Sequence, residues 1–217
     1  MNSGPPHAGV ILAGGLGRRM GGGDKPLMTI GGKTMLERVI ERLRPQVGRI
    51  VLNANGDPAR FSAYGLRVVP DTIEGFAGPL AGLHAGMRWA EANAPGARFI
   101  VSVAADTPFF PEGLVQRLTA CGAAAEDTIT LAASPAGTHP VFGRWPVALA
   151  GNLEAFLTAG ESGKILAFAD RYLRLNVPFE EIELPDGTKV DPFFNVNTPE
   201  DAARAEEIAA ALEGRAA

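Results

Sequence analysis

Five short apolar runs recur along the chain, and their spacing constrains the fold more than any other feature. They are AGVILA (Ala8–Ala13), RIVLNA (Arg49–Ala54), LRVVP (Leu66–Pro70), RFIVSVA (Arg98–Ala104) and TITLAA (Thr128–Ala133). Each is brief, β-branched and nearly continuous, as strands covered on both faces are. Helical patterns fall between them. Thr34–Leu43 sets Met35, Leu36, Val39, Ile40 and Leu43 on one face, while Pro79–Ala92 and Pro111–Ala120 open with a proline suited to a first helical turn. Such alternation predicts right-handed crossovers and a doubly wound, three-layer α/β/α sandwich with a mostly parallel, Rossmann-like central sheet. At 217 residues a single domain, 1–217, is expected, since cores stop growing near ~250–300 residues. Beyond Ala133 the pattern is less regular. Thr138–Trp145 predicts a strand, Pro146–Gly160 and Gly163–Tyr172 predict helices, and Asp191–Gly214 predicts a strand followed by a helix with Thr198 as N-cap and Pro199 at its first position.

Ligands of doubly wound sheets gather at the carboxyl ends of the strands. Those ends carry a glycine-rich loop after the first run, Asn53 and Asn55 after the second, Asp71 after the third and Asp106 after the fourth. They are expected to converge on one edge. The loop, LAGGLGRRMGGGDK (Leu12–Lys25), has the glycines that let backbone N–H groups approach phosphate oxygens. Arg18, Arg19 and Lys25 against Asp24 give it a local charge of +2 in a chain of net charge −4, which suits a triphosphate. Two common nucleotide motifs are excluded. GLGRRM has Met20 where a dinucleotide fingerprint needs its third glycine, and GGKT (Gly31–Thr34) follows Leu27 where a P-loop needs its first.

The acidic balance argues against a general nucleic-acid partner. The single cysteine, Cys121, rules out an intrachain disulfide and a thiolate metal cluster. No apolar run approaches the ~18 residues of a membrane span, and the first residues lack a signal-peptide pattern. A soluble cytoplasmic protein without a membrane partner is expected. His84, in a helix whose apolar face serves the core, and His7, in an expected frayed terminus, are given no site role.

The loop string, extended to LAGGLGRRMGGGDKPL, resembles the signature of nucleotidyltransferases with a glycosyltransferase-A-like fold, and among them most resembles the molybdenum cofactor guanylyltransferase (MobA) family. VLNANG (Val51–Gly56), VVPDT (Val68–Thr72), GPLAGL (Gly78–Leu83), ADTPF (Ala105–Phe109), His139–Pro140 and FNVNTPED (Phe194–Asp201) match that family in order, so the likeness runs through nearly the whole chain. The resemblance implies transfer of GMP from GTP to the terminal phosphate of molybdopterin, with pyrophosphate release and Mg²⁺ as cofactor. It implies that the N-terminal half binds the nucleotide and the C-terminal half the pterin, with other molybdenum cofactor biosynthesis proteins and molybdoenzymes as further partners. Carried over by residue, Leu12, Ala13, Gly14 and Gly15 meet the nucleoside through their backbone, and Arg19 and Lys25 bind phosphates. Asn53 and Asp71 contact the nucleoside, Asp106 ligates Mg²⁺, and His139, Asn195 and Asn197 lie near the acceptor and metal. Guanine-using members carry LAGG, as at Leu12–Gly15, where cytidine-using ones tend to carry LAAG. A cytidylyltransferase or sugar-1-phosphate nucleotidyltransferase is the alternative within this chemistry, and a non-catalytic nucleotide-binding module the alternative outside it.

In-line attack at an α-phosphorus asks for positioning and charge neutralisation more than for covalent help. Asp106 at a strand end suits a hard cation that keeps most of its waters. Lys25 and Arg19 suit the charge that builds on a leaving pyrophosphate. An acceptor phosphate is already ionised near neutral pH, so no general base is assigned.

Overall fold

A computed structural model describes residues 7–14, 24–73, 78–122 and 127–214. In chain order the strands are β1 (His7–Leu12), β2 (Thr29–Ile30), β3 (Lys33–Thr34), β4 (Arg49–Asn53), β5 (Arg67–Val69), β6 (Phe99–Ala104), β7 (Ile129–Ser134), β8 (Gly137–Pro146), β9 (Arg174–Pro178), β10 (Ile182–Glu183) and β11 (Lys189–Val190). The helices are α1 (Met35–Leu43), α2 (Pro79–Asn93), α3 (Leu114–Gly122), α4 (Ala150–Thr158), α5 (Ile165–Ala169) and α6 (Pro199–Glu213).

Among the described residues the main sheet has the order β5-β4-β1-β6-β8-β7-β9. It is parallel except for β8, which runs antiparallel to both of its neighbours. Successive side chains of β1 face opposite layers. Val10 joins Leu80, Leu83, Met87, Leu153 and Phe168 on one side, while Ile11 joins Leu36, Val39, Leu43, Leu114 and Leu118 on the other. The three-layer sandwich is therefore built from two cores that share one sheet. Gly82 and Gly86, one turn apart on α2, bring that helix close to the sheet: a Cβ at Gly86 would lie 2.6 Å from Val10.

The chain winds outward from β1 to β4 and β5, then returns across β1 to β6 on its other side. This reversal of strand order lies between β1 and β6, where ligand crevices of such sheets form. Beside it, GGKT forms a hairpin turn between β2 and β3. Gly31 and Gly32 both have positive φ, 56° and 76°, as a two-residue hairpin of this hand demands. Thr34 then caps α1 in a reciprocal capping box with Glu37. The P-loop likeness of this stretch is thus the chemistry of a turn and a cap.

Several expectations are corrected. Residues 191–198 have no ladder pairing: a turn at 192–193 is closed by the Phe194 N–H donating to Asp191 O, and the paired segment before them is the short β10–β11 ribbon. The helix expected from Pro111 begins at Leu114 and continues through Cys121, which is exposed on it. The helix expected over Gly163–Tyr172 is confined to Ile165–Ala169. The edge strand β9 carries no apolar run in its sequence, RLNVP.

Candidate active site

A cleft of about 190 Å³ opens at the strand reversal. Its walls include Leu12, Ala13 and Gly14 after β1, Asn53 at the end of β4, Ala105 and Asp106 after β6, and Lys25. Gly78 and Pro79 add the N-terminal end of α2, whose dipole turns its positive end toward the cleft. Gly78 has a φ of 152°, a conformation close to exclusive to glycine.

At one end, the Lys25 ammonium donates to Asp106 Oδ2 at 2.5 Å, to Asn197 Oδ1 at 2.6 Å and to Asn195 Oδ1 at 3.4 Å. An ammonium has three protons, so all are engaged. The two asparagines reach it because Val196 between them is buried and its N–H donates to Asp106 O at 3.0 Å. Extended chain points alternate side chains to opposite sides, which leaves Asn195 and Asn197 facing Lys25. Asn197 is held from behind, its N–H donating to Asp201 Oδ2 at 2.8 Å. That bond, with others from Thr198, holds the Asp201 carboxyl below its usual range.

At the other end, Asn53 Nδ2 donates to Val69 O at 3.2 Å and to Asp71 Oδ1 at 3.0 Å. With its amide nitrogen so committed, Asn53 Oδ1 faces Gly14 and Gly82; a Cβ on Gly82 would sit 2.1 Å from it. Asn55 Nδ2 donates to Asp71 Oδ2 at 2.7 Å. Asp71 and Asp106 follow strands three places apart in the sheet, roughly 14 Å at the usual spacing, a span that suits an extended nucleotide.

Leu12, Ala13, Gly14, Lys25, Asn53, Asp106 and Asn195 line the cleft, while Asp71 adjoins it through Asn53 and Asn197 through Lys25. Gly15 and Arg19 lie outside the described residues. His139 does not line the cleft. Ser134 donates to Asp191 Oδ2 at 2.6 Å, and His139 Nε2 lies 2.7 Å from Ser134 Oγ, with its ring 4.5 Å from that of Phe193. Burial lowers the His139 pKa, so the imidazole is neutral at pH 7 and ties the β7–β8 turn to the 191–194 segment. Val141, two residues on, does reach the cleft. It lies in an irregularity of β8, where the pairing Leu131 with Gly143 is followed by Ala132 with His139, and Ser102 holds its carbonyl at 2.6 Å. Pairing irregularities re-aim side chains in this way, and no local pattern marks them in the sequence. Gly78 and Gly82 were visible only as members of a matched motif.

A mostly parallel α/β sheet with a cleft at its strand reversal is the architecture in which such proteins bind their ligands. The chain belongs to the MobA-like NTP transferase domain family, whose model matches residues 9–174, and it is a nucleotidyltransferase. It is 52% identical to the molybdenum cofactor guanylyltransferase of Bradyrhizobium sp. (strain ORS 278), over 93% of this chain and 92% of that one. It is 49% identical to the molybdenum cofactor guanylyltransferase of Nitrobacter hamburgensis over 97% of each chain. Among solved structures it is similar to molybdopterin-guanine dinucleotide biosynthesis protein A from Archaeoglobus fulgidus, with a TM-score of 0.70, 26% identity, and coverage of 94% of this chain and 98% of that one.

Proposed function

We propose that this protein transfers GMP from GTP to the terminal phosphate of molybdopterin and releases pyrophosphate. The carrying observation is the seat of Lys25 on Asp106, Asn195 and Asn197, with the Asn53–Asp71 pair two and three strands along the sheet edge from Asp106. The names of the similar proteins supply the substrates in this reading. An oxygen of the acceptor phosphate forms a bond to the α-phosphorus, and the bond from that phosphorus to the α,β-bridging oxygen breaks. The acceptor enters already ionised. The protein's tasks are to align two anions and to neutralise charge on the leaving group.

One carboxylate and two amide oxygens around a single positive charge are a donor set that fits a hard divalent cation. Among the described residues no group of three or more His, Cys, Asp or Glu side chains competes for that part. Few protein oxygens with room for water suit Mg²⁺. Asp106, with the Asn195 and Asn197 carbonyls beside it, would hold it. Bound there, it would supply Lewis-acid stabilisation of phosphoryl oxygens. Lys25 then turns its donors to phosphate oxygens, the 3.4 Å bond to Asn195 being the weakest it gives up. Arg19 joins it in the same reading. No helix among the described residues is long and apolar enough to cross a membrane; with a single cysteine, the reading favours the cytoplasm.

The test is pyrophosphate release in the presence of molybdopterin with GTP and, separately, CTP. Faster turnover with CTP overturns the guanylyl reading. Asp106→Asn should lower the rate at least a hundredfold while the thermal midpoint changes little; near-normal activity in that variant removes the metal assignment.

A further inference from the structure

Asn55 is exposed and absent from the walls of the cleft, yet it makes more directed contacts with Asp71 than any other described side chain. Its Nδ2 donates to Asp71 Oδ2 at 2.7 Å, and its Oδ1 accepts from the Asp71 N–H at 2.9 Å. One amide therefore grips both the backbone and the carboxylate of a single residue. Asn53 takes the other carboxylate oxygen at 3.0 Å. Asn55 is itself anchored: Arg60 donates to its carbonyl and also pairs with Asp24, the residue before Lys25. A continuous chain of polar contacts thus runs from the phosphate end of the cleft to Asp71.

The groups left for a ligand at this end have one character. Each Asp71 oxygen keeps a lone pair after receiving one amide donor, and Asn53 Oδ1 is a further acceptor. Acceptors crowded together favour a base edge rich in donors. The Watson–Crick edge of guanine carries two adjacent donors, N1–H and the N2 amino group. Cytosine offers only its N4 amino group beside two acceptors, which a carboxylate repels. We propose that Asn55 is a positioning residue for base selection: by fixing the Asp71 carboxylate beside Asn53, which lines the cleft, it makes guanine the base this site prefers. The proposal rests on the guanylyl reading above and assigns selectivity to this acceptor pair, beside any contribution from the loop glycine Gly15.

Binding alone tests it, by calorimetric titration of the full chain in Mg²⁺ with GTP, with ITP, which lacks only the N2 amino group, and with dGTP. The wild type should bind GTP about ten- to a hundredfold more tightly than ITP, the range of a hydrogen bond to a charged group. Asn55→Ala should bring that ratio near one by weakening GTP, with ITP almost unchanged and the thermal midpoint preserved. Asn55→Asp keeps the acceptor for the Asp71 N–H and the local turn but replaces the donor with a carboxylate, so it should lose selectivity as Ala does. A GTP-to-ITP ratio in Asn55→Asp equal to the wild type would reduce Asn55 to a turn residue and overturn the proposal. If the GTP-to-dGTP ratio collapses in the variants instead, the carboxylate holds ribose and base selection by Asn55 is overturned. A wild type that binds CTP as tightly as GTP overturns the underlying guanylyl reading, an outcome distinct from selectivity that survives the variants.

Discussion

Gly82, packed against Asn53 behind the cleft wall, carries the most severe steric demand of the described glycines. A Cβ there would lie 2.1 Å from Asn53 Oδ1 and 2.9 Å from Leu12 Cδ2, and the asparagine cannot yield without breaking its bonds to Val69 and Asp71. Gly82→Ala should therefore cost about 1–3 kcal/mol in stability through overpacking and weaken GTP binding at least tenfold. Gly151, in the first turn of α4 with nothing near its Cβ position, is the opposite case. Gly151→Ala should stabilise by about 0.5 kcal/mol. Thermal melts paired with GTP titration of both variants check the contrast, and equal behaviour would refute it. At this scale Asn53, Asp71 and Asp106 stood out because they follow buried parallel strands, where ligands gather, although Asn and Asp also serve in turns there. The glycines stood out less. A residue without a side chain declares nothing until its neighbours are placed.

Among the elements, α6 couples folding to the site most directly. Thr198 caps it, accepting from Asp201 N at 3.1 Å, while Asp201 returns bonds to the N–H groups of Thr198 and Asn197. Thr198→Ala should cost about 1 kcal/mol. Because Asn197 shares that box and holds Lys25, turnover should fall severalfold while α6 stays folded; circular dichroism with steady-state rates separates the two effects, and unchanged turnover would uncouple cap from site. The cap was plain in NTPED, since the rules of helix starts act over four residues. The buried strands were plain for the same reason. Edge strand β9 was not: with polar alternation and a half-exposed Leu175, it gains order only by pairing with β7. The two-residue ladders of β2–β3 and β10–β11 are too short to leave any periodicity.

Across the whole molecule, His7 joins three distant pieces. It sits on β1 with its Nε2 3.4 Å from Arg144 Nε of β8 and 3.2 Å from Thr119 Oγ1 of α3. Burial, reinforced by the Arg144 charge, lowers its pKa from 6.5 to about 4. The unfolded chain therefore takes up this proton first as pH falls, so stability is retained above pH 6.5 and lost progressively down to about 4, at most about 3 kcal/mol. Urea midpoints between pH 7 and 4.5 should fall less steeply in His7→Gln than in the wild type; parallel slopes would contradict this. The five buried strands, the main helices between them and the Thr198 cap were determined by the sequence alone, because patterning and capping act within a few residues. Only the tertiary structure decided that β8 enters the sheet antiparallel between β6 and β7, that Val141 reaches the cleft while His139 does not, and that Lys25 meets Asp106 and Asn197 from 81 and 172 positions away. Such meetings follow from how two cores close on one sheet, and no local window of the chain contains that information.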